Sequence, residues 1–193
     1  MLQFDVDVLD RIAYACKKYP ERAIDIAQSF KKNQLLSKNA VCKHIPSTSK
    51  GVCVLGGWYG MGFLLLRPQA HYTFVDIDPV CKNIGNIIWN GKAEFICTDA
   101  LQYNTREYDT IINCSTEHMD RGLLSRSFKN ISPHSLCIFQ NSNNDNVDDH
   151  INCFTSADSF REYLEDRFIV MNCTTQSMDN STERYTAVCM KTQ

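Results

Sequence analysis

The stretch GVCVLGGWYGMGFLLLRPQAHYTFVDIDP, Gly51–Pro79, decides the fold. Val52–Leu55 is a short apolar run between glycines, which suits a buried strand. Gly56, Gly57 and Gly60 follow in a compact turn, where missing side chains permit tight backbone geometry. Met61–Leu66 then reads as a helix that stops near Pro68. Tyr72–Val75 is a second strand, ended by Asp76. Strand, turn, helix, strand in so few residues requires a parallel pair joined by a helical crossover.

The same alternation continues downstream. Pro79 suits a first helical turn, with a helix to Trp89 and a turn at Asn90-Gly91. Glu94–Cys97 is a third strand, followed by Asp99. Thr110–Cys114 is a fourth, with a helix around Arg121–Lys129. Leu136–Gln140 is a fifth, followed by a long polar loop. Ser159–Asp166 is helical. Phe168–Asn172 and Tyr185–Met190, joined by the polar stretch Thr174–Glu183, can close the chain as an antiparallel hairpin.

Upstream, residues 1–45 look helical. Leu9, Ile12, Ala13 and Cys16 form an apolar stripe at helical spacing. Pro20 opens a second helix with Ala23, Ala27 and Phe30 along one face. These helices are expected to cover one face of the following domain, or to form a lid. The expected division is an N-terminal helical extension, 1–45, and an α/β domain, 46–193.

A chain of 193 residues suits that single domain with a short addition. Its net charge of −2 offers no general attraction to nucleic acid or membrane. Residues 1–50 hold nine Lys or Arg and five Asp or Glu, a local excess read as a solvated helical face rather than an anion-binding patch. Ten cysteines occur without any C-x-x-C. Cys53, Cys97, Cys114 and Cys137 lie in apolar runs and are expected buried, as small hydrophobes. With three acids and no apolar core in MLQFDVDVLD, no signal peptide is read, so reduced thiols and a cytoplasmic location are expected. No apolar run approaches the roughly 20 residues of a membrane span.

Open α/β sheets bind ligands outside the carboxyl ends of their strands. The informative residues are therefore VLGGWYGMG after the first strand, TFVDIDP after the second and FICTDALQY after the third. An acid such as Asp76 at a strand end can accept both hydroxyls of a ribose, whereas Asp78, just before Pro79, suits a helix cap. Asp99 can hold an exocyclic amine, or serve only as a turn aspartate.

With these three in step, the chain resembles the class I S-adenosylmethionine (SAM)-dependent methyltransferases from Gly51 to Met119, and in topology to residue 190. The resemblance implies an α/β, Rossmann-like doubly wound, mostly parallel seven-stranded sheet with a C-terminal antiparallel hairpin. It implies that Gly56, Gly57 and Gly60 wrap the methionine part of SAM. Asp76 would hold the ribose and Asp99 would contact the adenine, with Ala100 and Leu101 flanking the ring and Ile77 also among the cofactor contacts. The turn departs from the usual G-x-G step: Trp58 and Tyr59 intervene, and either can pack against the ligand. Asn113 begins the segment that faces the transferable methyl.

The acceptor side carries no family signature: neither Asn-Pro-Pro-Tyr nor a Lys-Asp-Lys-Glu set occurs. Instead Ser115, Thr116, Glu117 and His118 stand in a row at a strand end. Glu117 can orient an amine and His118 can act as a base, with His150 a second base candidate. Ser115, Thr116, Asn141 and Asn143 are candidate substrate contacts. Glu117, His118, Asp148 and His150 match no recognised metal-ligand spacing, so no metal is expected. The expectation is a SAM-dependent methyltransferase for a small polar amine, hydroxyl or carboxylate. Two alternatives are aminocarboxypropyl transfer, in faint similarity to nicotianamine-synthase-like enzymes, and a non-catalytic binding module on the same fold. A nucleic-acid substrate is disfavoured because no basic–aromatic platform is seen.

Overall fold

The structure, a computed structural model, describes residues 6–178 and 181–192. Residues 1–5, which open the segment read for a leader, and residues 179–180 of the terminal polar stretch lie outside the described residues. One sheet holds seven strands: β1 (Val52–Leu55), β2 (Tyr72–Asp76), β3 (Glu94–Cys97), β4 (Thr110–Asn113), β5 (Leu136–Ser142), β6 (Phe168–Ser177) and β7 (Glu183–Lys191). Their order is β3-β2-β1-β4-β5-β7-β6. The first five pair in parallel, and β7 runs antiparallel to both β5 and β6. The order reverses beside β1, where β2 leaves on one side and β4 on the other, which is the switch point that opens a crevice.

The helices are α1 (Val6–Lys18), α2 (Ala23–Gln28), α3 (Lys32–Cys42), α4 (Met61–Leu66), α5 (Pro79–Trp89), α6 (Arg121–Ser127) and α7 (Ala157–Glu165). Alternation along the strands divides the core. Val52 and Val54 face one side with Phe74, Ile112 and Ile138, against Ile84, Ile88 and Trp89 of α5. Cys53 and Leu55 face the other with Val75, Ile111 and Phe139, against Leu124 of α6 and Phe160 and Leu164 of α7. A fully buried side chain of this size contributes roughly 1.5–3 kcal/mol, so these two layers supply the driving force for folding.

The N-terminal helices share the first layer. Val8, Ala15, Ile26, Val41 and Cys42 pack into the same core as β1 and β2. The stripe on α1 is shifted from the expected one: Val8 and Ala15 are buried and Leu9 is 50% exposed. Both stripes share Ile12, and helical spacing does not separate them. On α2, Ile26 is the buried residue and Ala27 is exposed. The helix ends at Gln28, before Phe30 can continue the expected Ala23–Ala27 face.

The terminal strands run further than expected, because pairing continues through polar residues. Ser142 is opposite Arg184 and Ser177 is opposite Glu183. Cys97 is exposed on edge strand β3, contrary to expectation, while Cys53, Cys114 and Cys137 are buried. All ten cysteines are free thiols. No helix among the described residues is long and apolar enough to cross a membrane.

Candidate functional site

Register brings the strand ends together. Leu55 lies opposite Val75 on one side and Asn113 on the other, so Gly56, Asp76 and the segment after Asn113 lie side by side at the carboxyl ends of the strands. The turn after β1 has three left-handed residues: Gly56 at φ +64°, Trp58 at +51° and Gly60 at +69°. A Cβ on Gly56 would stand 2.9 Å from the Ser115 Cβ, and one on Gly60 would stand 2.9 Å from Cε2 of Phe74. The glycines are therefore required by close approach as well as by φ. Gly57 is buried, and its N–H donates to Val75 O at 3.1 Å.

Trp58 is the unusual member, since a bulky residue in this conformation stores strain. Two contacts hold it. Its N–H donates to Asp76 Oδ2 at 2.9 Å, and its ring stacks on Tyr59 at 4.8 Å. The Tyr59 ring itself is wholly buried among core residues, which corrects the expectation that it packs against a ligand. The Tyr59 carbonyl is pinned by Trp89 Nε1 at 2.7 Å.

Asp76 holds two segments at once. Its other oxygen, Oδ1, accepts the Asp78 N–H at 3.1 Å. Burial raises its pKa above the ordinary value, opposed by the Trp58 N–H and the charge of Arg22. Asp78 caps α5 by accepting the Val80 N–H at 2.8 Å, as its place before Pro79 suggests, and it pairs with Arg22. The N-terminal segment is thus tied to the flank of Asp76. Beside it Ile77 is 72% exposed, an apolar surface facing outward at a strand end.

Asp99, half-buried, accepts the Leu101 N–H through Oδ1 and Gln102 Nε2 through Oδ2, both at 2.9 Å. It therefore orders its own turn, with Ala100 buried beneath. Asn113 is buried, and its side chain accepts the Ser115 N–H at 3.0 Å and donates to Met119 Sδ at 3.2 Å. Ser115 Oγ reaches Gly56 O at 3.4 Å, joining the segment after β4 to the glycine turn.

Three expected substrate contacts serve the framework instead. Thr116 is buried, donates from its hydroxyl to Gln140 O and accepts Asn141 Nδ2. Asn141 is fully buried and saturated: Nδ2 donates to Thr116 Oγ1 and Asn152 O, while Oδ1 accepts the Ser142 and Phe154 amides. Asn143 exchanges bonds with Ser181 O and the Glu183 N–H, extending the β5–β7 ladder. Thr116 and Asn141 present no unengaged group to a substrate, because an uncompensated buried polar group is costly and the fold satisfies it first; Asn143 is only half-buried.

Thr116–His118 forms a short 3₁₀ turn, and Asp120 rather than Ser115 or Thr116 caps α6. Glu117 is 1% exposed, and its Oε1 is bound by Arg184 Nη1 at 2.5 Å. Sequence reasoning missed Arg184 by placing it in a loop before the last strand. The signal was a cation at the very start of an apolar strand, where a charge usually needs a partner. His118 is exposed, with Nδ1 3.1 Å from Asp149 Oδ2. The rings of His118 and His150 meet edge to face with centroids 4.6 Å apart. The loop that carries His150 is anchored to the same turn, since the Ile151 and Asn152 amides both donate to Glu117 O, at 2.9 and 3.0 Å.

No family model matches the sequence, and no curated protein matches it closely. Solved structures do match in shape. The N-methyltransferase NodS from Bradyrhizobium japonicum WM9 superposes with a TM-score of 0.63 at 16% identity, covering 83% of this chain and 93% of that one. The 1,6-didemethyltoxoflavin-N1-methyltransferase from Burkholderia thailandensis, solved with its substrate and S-adenosylhomocysteine, superposes at 0.69 with 13% identity over 97% and 88%. Human N-acetylserotonin methyltransferase, solved with SAM, gives 0.59 at 15% identity over 96% and 57%.

The fold is that of the class I SAM-dependent methyltransferases. Within this methyltransferase fold, the crevice at β1, β2 and β4 is where general α/β architecture puts a ligand.

Proposed function

We propose that the chain is a SAM-dependent methyltransferase acting on a small polar acceptor that carries an amine, hydroxyl or carboxylate. One observation carries the reading: the left-handed glycine turn, Asp76 and Asp99 occupy successive carboxyl ends of β1, β2 and β3, with Asp76 hydrogen-bonded to the turn itself. The residues fit the cofactor. Gly56 lets the turn close against Ser115, where a Cβ would stand 2.9 Å away, and Asp76 is partly exposed, so its oxygens keep lone pairs for a ribose diol. The backbone from Gly56 to Gly60 would border the methionine part, with the Gly57 and Trp58 amides already held by Val75 O and Asp76. Ile77 and Ala100 would flank the adenine, and Asp99 would accept from its amine. Bound SAM supplies an electrophilic methyl group on a sulfonium.

The protein's share is positioning and proton removal. With Nδ1–H of His118 directed at Asp149, Nε2 is the basic nitrogen free to take a proton from the acceptor. His150 adds a second imidazole on that side and Ser115 borders the turn, while Glu117, 1% exposed, lies behind them paired with Arg184. Incubating the purified chain with SAM and a panel of small amines, alcohols and acids tests the reading. S-adenosylhomocysteine is the expected by-product; methylthioadenosine would instead indicate aminocarboxypropyl transfer.

A further inference from the structure

Three ligand-type side chains converge where sequence spacing gave no metal motif. One ligating atom from each of Glu117, His118 and His150 lies within 4.8 Å of the other two. We propose that these three residues bind a divalent first-row metal ion.

The second observation is Glu117 Oε2, which is buried without a hydrogen-bond partner. Glu117 is 1% exposed and Arg184 occupies only Oε1. A buried carboxylate oxygen without a donor carries a desolvation cost that a cation would offset.

The third is the state of the two imidazoles. His150 Nδ1 lies 2.5 Å from Asn144 O, and His118 Nδ1 lies 3.1 Å from Asp149 Oδ2. A backbone carbonyl and a carboxylate are the partners that fix the tautomer of metal-binding histidines. With the proton held on Nδ1, each ring keeps its Nε2 lone pair for a metal. The backbone is also set in advance: both amides after His150 bond to the carbonyl of Glu117, so ligands distant in sequence sit on one rigid junction.

Donor atoms around a tetrahedral ion with bonds of about 2.0–2.1 Å stand about 3.3 Å apart. Separations of up to 4.8 Å must therefore contract by small side-chain adjustments when an ion binds. Two imidazoles and one carboxylate suit Zn²⁺, Fe²⁺, Co²⁺ or Mn²⁺ rather than Mg²⁺ or Ca²⁺, which prefer all-oxygen shells. Arg184 pairs with Glu117 Oε1 and Asp149 lies against His118, so two carboxylates and one guanidinium lie at the site. With the ion bound, His118 Nε2 is a ligand and no longer the base; three protein ligands leave a position open for an oxygen of the acceptor, whose proton the ion would make more acidic. That last consequence rests on the methyl-transfer reading; the metal site does not.

Co²⁺ added to chelator-stripped, reduced protein is a direct probe, read by its visible absorption. One saturable Co²⁺ per chain is expected, without the thiolate charge-transfer band that capture by cysteines would give. His118→Ala and His150→Ala should each weaken it about tenfold or more. Both residues lie outside the core, so the variants should keep the wild-type circular dichroism and melting temperature. Glu117→Gln should also weaken binding, but the histidine variants decide. No saturable binding, a thiolate band, or unchanged affinity in both histidine variants would overturn the site and leave a bare imidazole pair. SAM titrated into the same preparation separates the two claims: metal binding without SAM binding contradicts the proposed function alone, and the converse contradicts the metal site alone.

Discussion

Asp76 accepts the backbone N–H of Trp58 at 2.9 Å, joining the end of β2 to a left-handed residue in the turn after β1. One carboxylate thus shapes the turn and faces the crevice. Asp76→Ala should remove a charge-assisted hydrogen bond within the protein and others to a ribose, each worth about 1.5–3 kcal/mol. With the bonds to two ribose hydroxyls lost, SAM affinity should fall by roughly 100-fold or more, measured by calorimetry, with the fold retained. Asp76→Asn should lose less, because an amide oxygen still accepts from Trp58.

The pH dependence of binding follows from the same residue. Burial raises the Asp76 pKa above the ordinary 3.8. For folding, an acid harder to ionise in the native state favours the fold below its unfolded pKa, and that advantage is lost as pH rises through the native value. For binding the direction reverses, because a ribose diol donates to the ionised form. SAM affinity should therefore decline on acidification at a pH above the ordinary aspartate range. Asp76→Asn should flatten this decline in a titration series.

Gly56→Ala tests the closure of the turn against Ser115. The new Cβ would meet Ser115 at 2.9 Å and would sit at φ +64°. Left-handed backbone costs a non-glycine residue about 1–2 kcal/mol before any clash. Urea unfolding should show at least that loss. Adding Ser115→Gly should relieve the contact and recover only part of the stability, because the backbone penalty stays.

The Glu117–Arg184 pair should be costly to break from one side. Arg184 spans from β7 to a glutamate that is 1% exposed. Arg184→Met would strand a buried charge, at about 3–5 kcal/mol. The double variant Glu117→Gln with Arg184→Met should be more stable than Arg184→Met alone. Equal losses in both would contradict the assignment of a buried, mutually dependent pair.

The parallel half of the sheet was legible because its signals are local. Val52–Leu55, Met61–Leu66, Pro79–Trp89 and Glu94–Cys97 each combine an apolar run with a glycine, proline or aspartate boundary, and all four match the structure. The ends of β5, β6 and β7 were not legible, because residues such as Asn141 and Ser142 look like loop residues until their cross-strand partners are known. The same reason hid the roles of Thr116 and Asn141: a buried polar side chain and a substrate contact have the same composition. Arg184 and Glu117 are far apart in the chain, and the bridge between them exists only through the β5–β7 pairing. Glu117, His118 and His150 meet for a similar reason, through backbone bonds from Ile151 and Asn152 to Glu117 that no spacing rule encodes.

Calorimetric titration of SAM into the purified chain tests the central claim most directly. The account predicts saturable binding at one site, competition by S-adenosylhomocysteine, and a large loss of affinity in Asp76→Ala protein that remains folded. No detectable heat with the wild-type chain, or the same affinity in wild type, Asp76→Ala and Gly56→Ala, would contradict it.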